Sequence, residues 1–271
     1  IRLFYATRDE DSCSSTSFID VDLSNPSIIL HKNLNPVLSK GERGAFDDSG
    51  TTPSWFVPVE NKLFLYYTAW NKSLEASYRL SIGLAVSEDN GLTFSKKFSG
   101  PILDRSIYDP IWVGQPCVII EDGQWKMWYL CCEKIEVIEN HPEPFYNVKY
   151  ATSNDGINWV RKNQICIDFE EGITDAIGRP CVWKCKDEYY MLHSNRLARG
   201  YRTDVNSSYR IQLSKSHDGI TWVKEDSFNM NKTGADEWDG MMNEYTSIVP
   251  SDVEGRFYVF YNGNGFGASG I

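Results

Sequence analysis

The sequence has little that is basic. Its 27 Lys and Arg face 37 Asp and Glu, a net charge of −10, and no local run of cations interrupts that balance. A body of this sign repels a phosphate backbone and an anionic membrane surface alike, so neither nucleic acid nor membrane is expected as the main partner. Long apolar stretches are missing too: none approaches the roughly 20 residues that a membrane-spanning helix needs. Only four histidines occur, His31, His141, His193 and His217, and Cys181-x-x-x-Cys185 has no partner pair that would make it a zinc signature. No metal and no cofactor is expected. Cysteine is sparse, seven residues with two adjacent at Cys131 and Cys132. This excludes a dense disulfide framework and makes reduced thiols and a cytoplasmic location the expectation.

What is present in quantity is aromatic: 9 Trp, 15 Tyr and 13 Phe, within a chain that is 41% hydrophobic. Such a composition excludes a disordered chain. The aromatic and β-branched residues fall in runs of about six bounded by Gly, Asn, Asp or Pro, the signature of strands. No segment keeps a 3.6-residue apolar period.

The runs recur. Ser87-Glu-Asp-Asn-Gly-Leu-Thr-Phe94, Ser153-Asn-Asp-Gly-Ile-Asn-Trp159 and Ser216-His-Asp-Gly-Ile-Thr-Trp222 are one hairpin written three times, with glycines 65 and 63 residues apart. Upstream of each lies Thr52-Pro53-Ser-Trp-Phe-Val, Gln115-Pro116-Cys-Val-Ile-Ile or Arg179-Pro180-Cys-Val-Trp-Lys, with prolines 63 and 64 apart. A third element, from Arg2, Lys62, Gln124, Glu188 and Arg256, occurs five times. A period of this kind marks a repeat architecture. The central unit divides into strands at Pro116–Ile120, Trp125–Cys132, Tyr146–Thr152 and Trp159–Ile167, its Asp-Gly turn closing the last hairpin. Four antiparallel strands repeated about an axis make a β-propeller blade. The expectation is an all-β, single-domain, five-bladed β-propeller over 1–271, with units near 1–38, 39–103, 104–167, 168–230 and 231–271. Five such units need more residues than 271, so the first and last blades are expected to be incomplete.

In a propeller, residues just before each innermost strand rim the mouth of the central channel, where groups from several blades converge. Those residues are Phe46-Asp47-Asp48-Ser-Gly, Arg105-Ser-Ile-Tyr108-Asp109-Pro, Asp175-Ala-Ile-Gly-Arg179 and Trp238-Asp239-Gly-Met-Met-Asn243-Glu244-Tyr245. Each brings a carboxylate to one edge, Asp47 being read as the turn-former beside Asp48. Arg105 and Arg179 are placed to hold anionic side chains or to bind substrate, and Trp55, Tyr108 and Trp238 to offer flat aromatic platforms to a ligand. His193 ends a second strand beside Asn195 and Arg196 and is a candidate substrate contact. Arg196, Arg199, Arg202 and Arg210 fall in one insertion, read either as a solvated loop or as recognition of an acidic or phosphorylated ligand.

The blade pattern, the Arg105…Asp109-Pro110 and Phe46-Asp-Asp-Ser-Gly segments and the terminal Tyr261-Asn-Gly-Asn-Gly resemble five-bladed propeller proteins of the glycoside hydrolase family 43, 32 and 68 superfamily. The nearest likeness is to uncharacterised members found in bacterial sugar and polysaccharide gene clusters. The resemblance implies a glycosidase and a carbohydrate partner, with Asp48, Asp109 and Asp175 as the three catalytic carboxylates. The family's Trp-Met-Asn-Asp-Pro-Asn-Gly nucleophile motif and its Glu-Cys acid motif are both missing, so Glu244 and Glu133 stand beside Asp175 as candidates for the acid. The alternative is a non-catalytic glycan-binding or scaffold propeller. The Ser87 hairpin also resembles the Asp-box of sialidases, and is read as a turn-stabilising device. A sialidase would need six blades.

Overall fold

The structure, a computed structural model, describes residues 1–228, 230, 234 and 236–271; the unit boundary expected at 230/231 lies outside the described residues. The chain is all-β. An antiparallel run of β1 (Arg2–Arg8), β2 (Ser14–Val21) and β3 (Ile29–Lys32) comes first. Three antiparallel meanders follow: β4 (Gly50–Val59), β5 (Lys62–Lys72), β6 (Tyr78–Ser87) and β7 (Ser95–Lys96); β8 (Trp112–Glu121), β9 (Gln124–Ile138), β10 (His141–Ser153) and β11 (Val160–Ile167); β12 (Ala176–Cys185), β13 (Glu188–Arg196), β14 (Arg210–Ser216) and β15 (Val223–Lys224). A pair, β16 (Glu244–Pro250) and β17 (Phe257–Asn262), ends the series before a helical turn at Asn264–Gly267. Single parallel contacts, Ser14 with Gly50 and Tyr146 with Ala176, join the second run to the first and the fourth to the third.

The four strands expected in the central unit are β8 to β11, with β8, β9 and β10 longer than the sequence pattern suggested. β9 and β10 stay paired out to Ile138 and His141, where Lys134 sits 4.3 Å over the Phe145 ring and ties the extension down.

The repeated hairpin is a hydrogen-bond device. In each copy the serine hydroxyl accepts from the turn-glycine N–H, at 2.8 Å for Gly91, 3.0 Å for Gly156 and 2.9 Å for Gly219. The aspartate accepts from the backbone two to four residues on. The Thr93 hydroxyl and N–H hold the Asp89 carboxyl down to about 2, and the Thr221 and Ile220 N–H groups hold Asp218 there too. Gly91, Gly156 and Gly219 all have φ between 72° and 81°, which a side chain would strain.

Each hairpin also docks on the second strand of the preceding unit. The Tyr66 hydroxyl donates to the Gly156 carbonyl at 2.8 Å, and the Trp128 indole N–H to the Gly219 carbonyl at 2.7 Å. Phe4 fills the corresponding place against Gly91, where a Cβ would meet its ring at 3.0 Å. Tyr66 and Trp128 are fully buried, and clusters built on Tyr66 with Met127 and on Trp128 with Met191 run from one unit into the next.

Tyr66→Phe would leave the Gly156 carbonyl without its donor while keeping the ring. The expected loss is about 1–3 kcal/mol of unfolding free energy, measured by urea titration; an unchanged midpoint would show that the docking bond contributes nothing.

Candidate functional site

The strands β4, β8, β12 and β16, which open the later runs, each carry a bulge. Their ladders to β5, β9, β13 and β17 break between Pro53 and Trp55, Gly114 and Cys117, Gly178 and Cys181, and Glu244 and Ser247. In three of them the break holds a non-glycine residue at positive φ: Gln115 at 45°, Arg179 at 37° and Tyr245 at 57°. Such residues cost energy and persist only where neighbours fix them. Here the freed N–H groups reach side chains on adjoining strands: Gln115 to Thr68 Oγ1 at 2.8 Å, Arg179 to Gln115 Oε1 at 2.9 Å and Tyr245 to Ser194 Oγ at 3.3 Å. The Arg179 guanidinium then crosses to the carbonyls of Ser54 (2.9 Å) and Pro53 (3.4 Å), and burial lowers its pKa. The bulge positions therefore carry an amide, a guanidinium and a phenol. Their signal in the sequence was the residue before each repeated proline, Gln115 and Arg179.

The three expected catalytic aspartates occupy unlike surroundings. Asp109 is fully buried and takes hydrogen bonds from Ser106 (2.7 Å), Tyr129 (3.1 Å) and Arg161 (2.7 Å), with Lys149 Nζ at 3.7 Å. Its counterpart one unit earlier is Asp47, not Asp48. Asp47 is 1% exposed, accepts from Tyr67 at 3.0 Å and pairs with Lys96 at 2.6 Å, and Tyr67 and Tyr129 are 62 residues apart, as are Asp47 and Asp109. The turn-forming reading of Asp47 is thereby corrected: it is a buried ion-paired carboxylate, and Gly83 beside Tyr67 has no room for a side chain because the phenol that reaches Asp47 fills that space. Asp239 accepts from Tyr261 at 2.7 Å. In the remaining unit His193 stands where the tyrosine would be, and Asp175 instead accepts the N–H groups of Gly172 (2.7 Å) and Ala198 (2.6 Å). Asp48 is half-buried; burial opposes its ionisation, but bonds from Asn71 (2.7 Å), the Gly44 N–H (3.0 Å) and Ser49 (3.0 Å) hold its carboxyl below the usual range.

The other expected residues divide similarly. Arg105 and Tyr108 are exposed on the loop before β8. Trp238 is stacked on Tyr261 at 5.2 Å. Trp55 packs against three hydrophobic clusters, so its ring serves the core. His193 is 2% exposed, bonded to Asn195 (2.7 Å) and Ser214 (3.0 Å), and burial pulls its pKa down to about 4; it is a neutral interior group, not one at an open mouth. Glu133 pairs with Lys149 at 2.7 Å.

Glu244 differs from all of these. It is fully buried at the start of β16, and among the described residues neither carboxylate oxygen makes a hydrogen bond of normal geometry. Burial pushes its carboxyl well above the usual carboxylate range, with the Arg196 guanidinium and the Tyr245 hydroxyl acting the other way. Around it is an aromatic cage the sequence reading did not anticipate. Arg196 donates to Tyr209 at 3.1 Å and lies 4.2 Å over the Tyr201 ring and 5.5 Å over Tyr146. The Tyr146 and Tyr209 hydroxyls bond each other, Tyr209 lies 6.1 Å from Tyr245, and Trp112 lies 5.3 Å from Tyr146. The Trp112 indole N–H and the Thr246 hydroxyl are buried without partners among the described residues. No motif could have signalled this cage, because its members come from β8, β10, β13, β16 and the insertion before β14.

Asp109→Asn removes the charge that faces Arg161 and Lys149. We expect a loss of about 3–5 kcal/mol in stability, seen in thermal or urea unfolding; a fully stable variant would contradict the ion-paired assignment. Glu244 has the opposite sign. Because its folded pKa is raised, its ionisation favours the unfolded chain as pH climbs above the ordinary carboxylate range. Glu244→Gln is therefore expected to raise stability at neutral pH, with the gain shrinking toward pH 4, as followed by unfolding midpoints across pH.

No family model matches the sequence. The chain is 31% identical over 270 residues to "Uncharacterized protein MT1551" of Mycobacterium tuberculosis (strain CDC 1551 / Oshkosh), covering 100% of this chain and 86% of that protein. Among solved structures, one titled "Glycoside hydrolase" superposes with a TM-score of 0.74 at 16% identity, covering 97% of this chain and 80% of the other. A thermostable family-43 glycoside hydrolase superposes with a TM-score of 0.66 at 16% identity, covering 100% and 87%. At such identities the likeness is one of fold, that of the propeller-type glycoside hydrolases. At the level of sequence, the chain belongs to the family of the mycobacterial protein MT1551.

Proposed function

We propose that the protein is a five-bladed β-propeller that acts on carbohydrate, as a glycoside hydrolase whose acid is Glu244. The runs and meanders then correspond to successive blades, four-stranded in the three central units. The observation that carries the reading is the state of Glu244: a buried carboxyl without a hydrogen-bond partner of normal geometry among the described residues, its ionisation opposed by burial, beside Arg196 and several aromatic rings, on a fold shared with glycoside hydrolases. Hydrolysis of a glycosidic bond needs a protonated carboxyl to give its proton to the leaving oxygen, and an ionised one to attack the anomeric carbon or to take a proton from the attacking water. Burial shifts Glu244 in the direction that the first role needs. Asp48, half-buried and held ionised, has the second. Asp109 and Asp175 become positioning residues, the first by anchoring Arg161 and Tyr129 and the second by fixing the loop before β12.

One observation favours the second reading, a glycan-binding propeller without catalysis: Asp109 and Asp175 spend their oxygens on protein groups. A panel of aryl α- and β-glycosides, including arabinofuranosides, xylosides and fructoside-type substrates, separates the two. Turnover that falls by roughly 10²–10⁴ in Glu244→Gln and also in Asp48→Asn supports the hydrolase. Absence of turnover together with sugar binding on a glycan array supports the binding module.

A further inference from the structure

We propose that Arg179 and Gln115 form a binding site for the oxyanion of an acidic ligand, a carboxylate or a phosphate group, where β4, β8, β12 and β16 come together. The inference goes beyond the hydrolase reading and needs neither turnover nor Glu244.

The place is open to solvent. β8 lies against β4 and β12, and β12 against β16. In β8, β12 and β16 the bulge residue at positive φ is partly exposed while its neighbours on both sides are buried: Gln115 between Gly114 and Pro116, Arg179 between Gly178 and Pro180, Tyr245 between Glu244 and Thr246. The three are close together, since the Arg179 N–H reaches the Gln115 side chain at 2.9 Å and the Tyr245 phenol acts on the Arg179 guanidinium.

Arg179 is a cation that no protein anion answers. Arg2, Arg79, Arg161 and Arg199 pair with Asp20, Asp104, Asp109 and Glu139 at 2.6 to 3.0 Å, and Arg202 bonds Glu143. The groups acting on Arg179 are instead the thiols of Cys181 and Cys117 and the phenol of Tyr245, and burial raises the pKa of all three, which keeps them neutral. Asp175, four residues earlier, accepts the N–H groups of Gly172 and Ala198. Glu244, beside Tyr245, is acted on by Arg196. A desolvated guanidinium without a counter-charge is unfavourable, and it stands in a chain where 37 acids face 27 bases. An oxyanion from outside supplies what those acids do not.

The donors for such a group are in place. A guanidinium has five N–H donors. Arg179 gives Nη2 to the Ser54 carbonyl at 2.9 Å and Nη1 to the Pro53 carbonyl at 3.4 Å. Its Nε makes no hydrogen bond among the described residues, nor does Nε2 of Gln115, and both atoms keep contact with solvent. The bonds to β4 hold the fork, and the bond from the Arg179 N–H to Oε1 fixes which way the Gln115 amide faces. A planar cationic fork held in this way suits a carboxylate or phosphate; a cationic or purely donating ligand would meet donors alone.

The test is calorimetric titration of the whole chain with inorganic phosphate, with galacturonate and with galactose, which matches galacturonate except at the carboxylate. At least one of the anions is expected to bind roughly ten- to hundred-fold tighter than galactose. Phosphate alone identifies a phosphate-type ligand and galacturonate alone a carboxylated one; either supports the site. Arg179→Gln should remove the anion's advantage. Gln115→Glu guards against loss of fold: it keeps the acceptor for the Arg179 N–H, sets a carboxylate beside the guanidinium, and should abolish anion binding with no fall in the unfolding midpoint. Anion binding that Gln115→Glu leaves intact, or affinity for both anions no greater than for galactose, overturns the proposal. A chain inactive on the glycoside panel that still binds the anion keeps this site without the hydrolase, so the two readings fail separately.

Discussion

The bulge in the opening strand of each later run is the constraint on which the rest depends. An unbroken antiparallel ladder would keep alternate backbone N–H groups on the neighbouring strand of the same unit. The breaks at Gln115, Arg179 and Tyr245 free one donor per strand and turn it toward an adjoining strand. Thr68 and Ser194 are 126 residues apart, at matching places in β5 and β13, and each accepts one of these donors. Leu130 holds that place in β9 and has nothing to offer, so the Gln115 side chain accepts from Arg179 instead. A backbone strain of about 1–3 kcal/mol per residue is thus offset by bonds between strands, and the Gln115 and Arg179 side chains are themselves taken up in such bonds.

Local chemistry was legible in the sequence; long-range chemistry was not. Ser87, Asp89 and Gly91 announce their hairpin because the bonds that close the turn lie within seven residues, and the same holds at Ser153 and Ser216. The repeated prolines located the inner strands for a similar reason, since they sit at the bulges. Choosing between Asp47 and Asp48 was beyond the pattern, because one residue of slip in the loop decides which carboxyl goes under Tyr67 and which stays at the surface. The Tyr146–Tyr209 bond joins residues 63 apart, and Arg196 reaches Pro144 across 52. No spacing rule encodes such contacts. His193 misled because its place in the repeat belongs to a tyrosine in neighbouring units, and only the packing against Ser214 shows that the imidazole is enclosed.

Asp109 and Glu244 set the terms of the functional argument. Both are carboxyls with no exposure, beside the innermost strands of different units. Burial alone would disfavour a charge on either. At Asp109 the fold supplies a serine, a tyrosine, an arginine and a nearby lysine, enough to hold an anion in the interior. At Glu244 no partner of normal geometry answers the carboxyl among the described residues, and burial pushes it well above the usual carboxylate range. A chain that elsewhere meets its buried carboxylates so fully has the means to meet this one. Leaving it unmet lowers stability at neutral pH, and proteins keep such local conflicts where activity needs them. The missing partner, more than any cluster of charge, distinguishes the Glu244 cage from the well-paired carboxylates that the repeat distributes around the molecule.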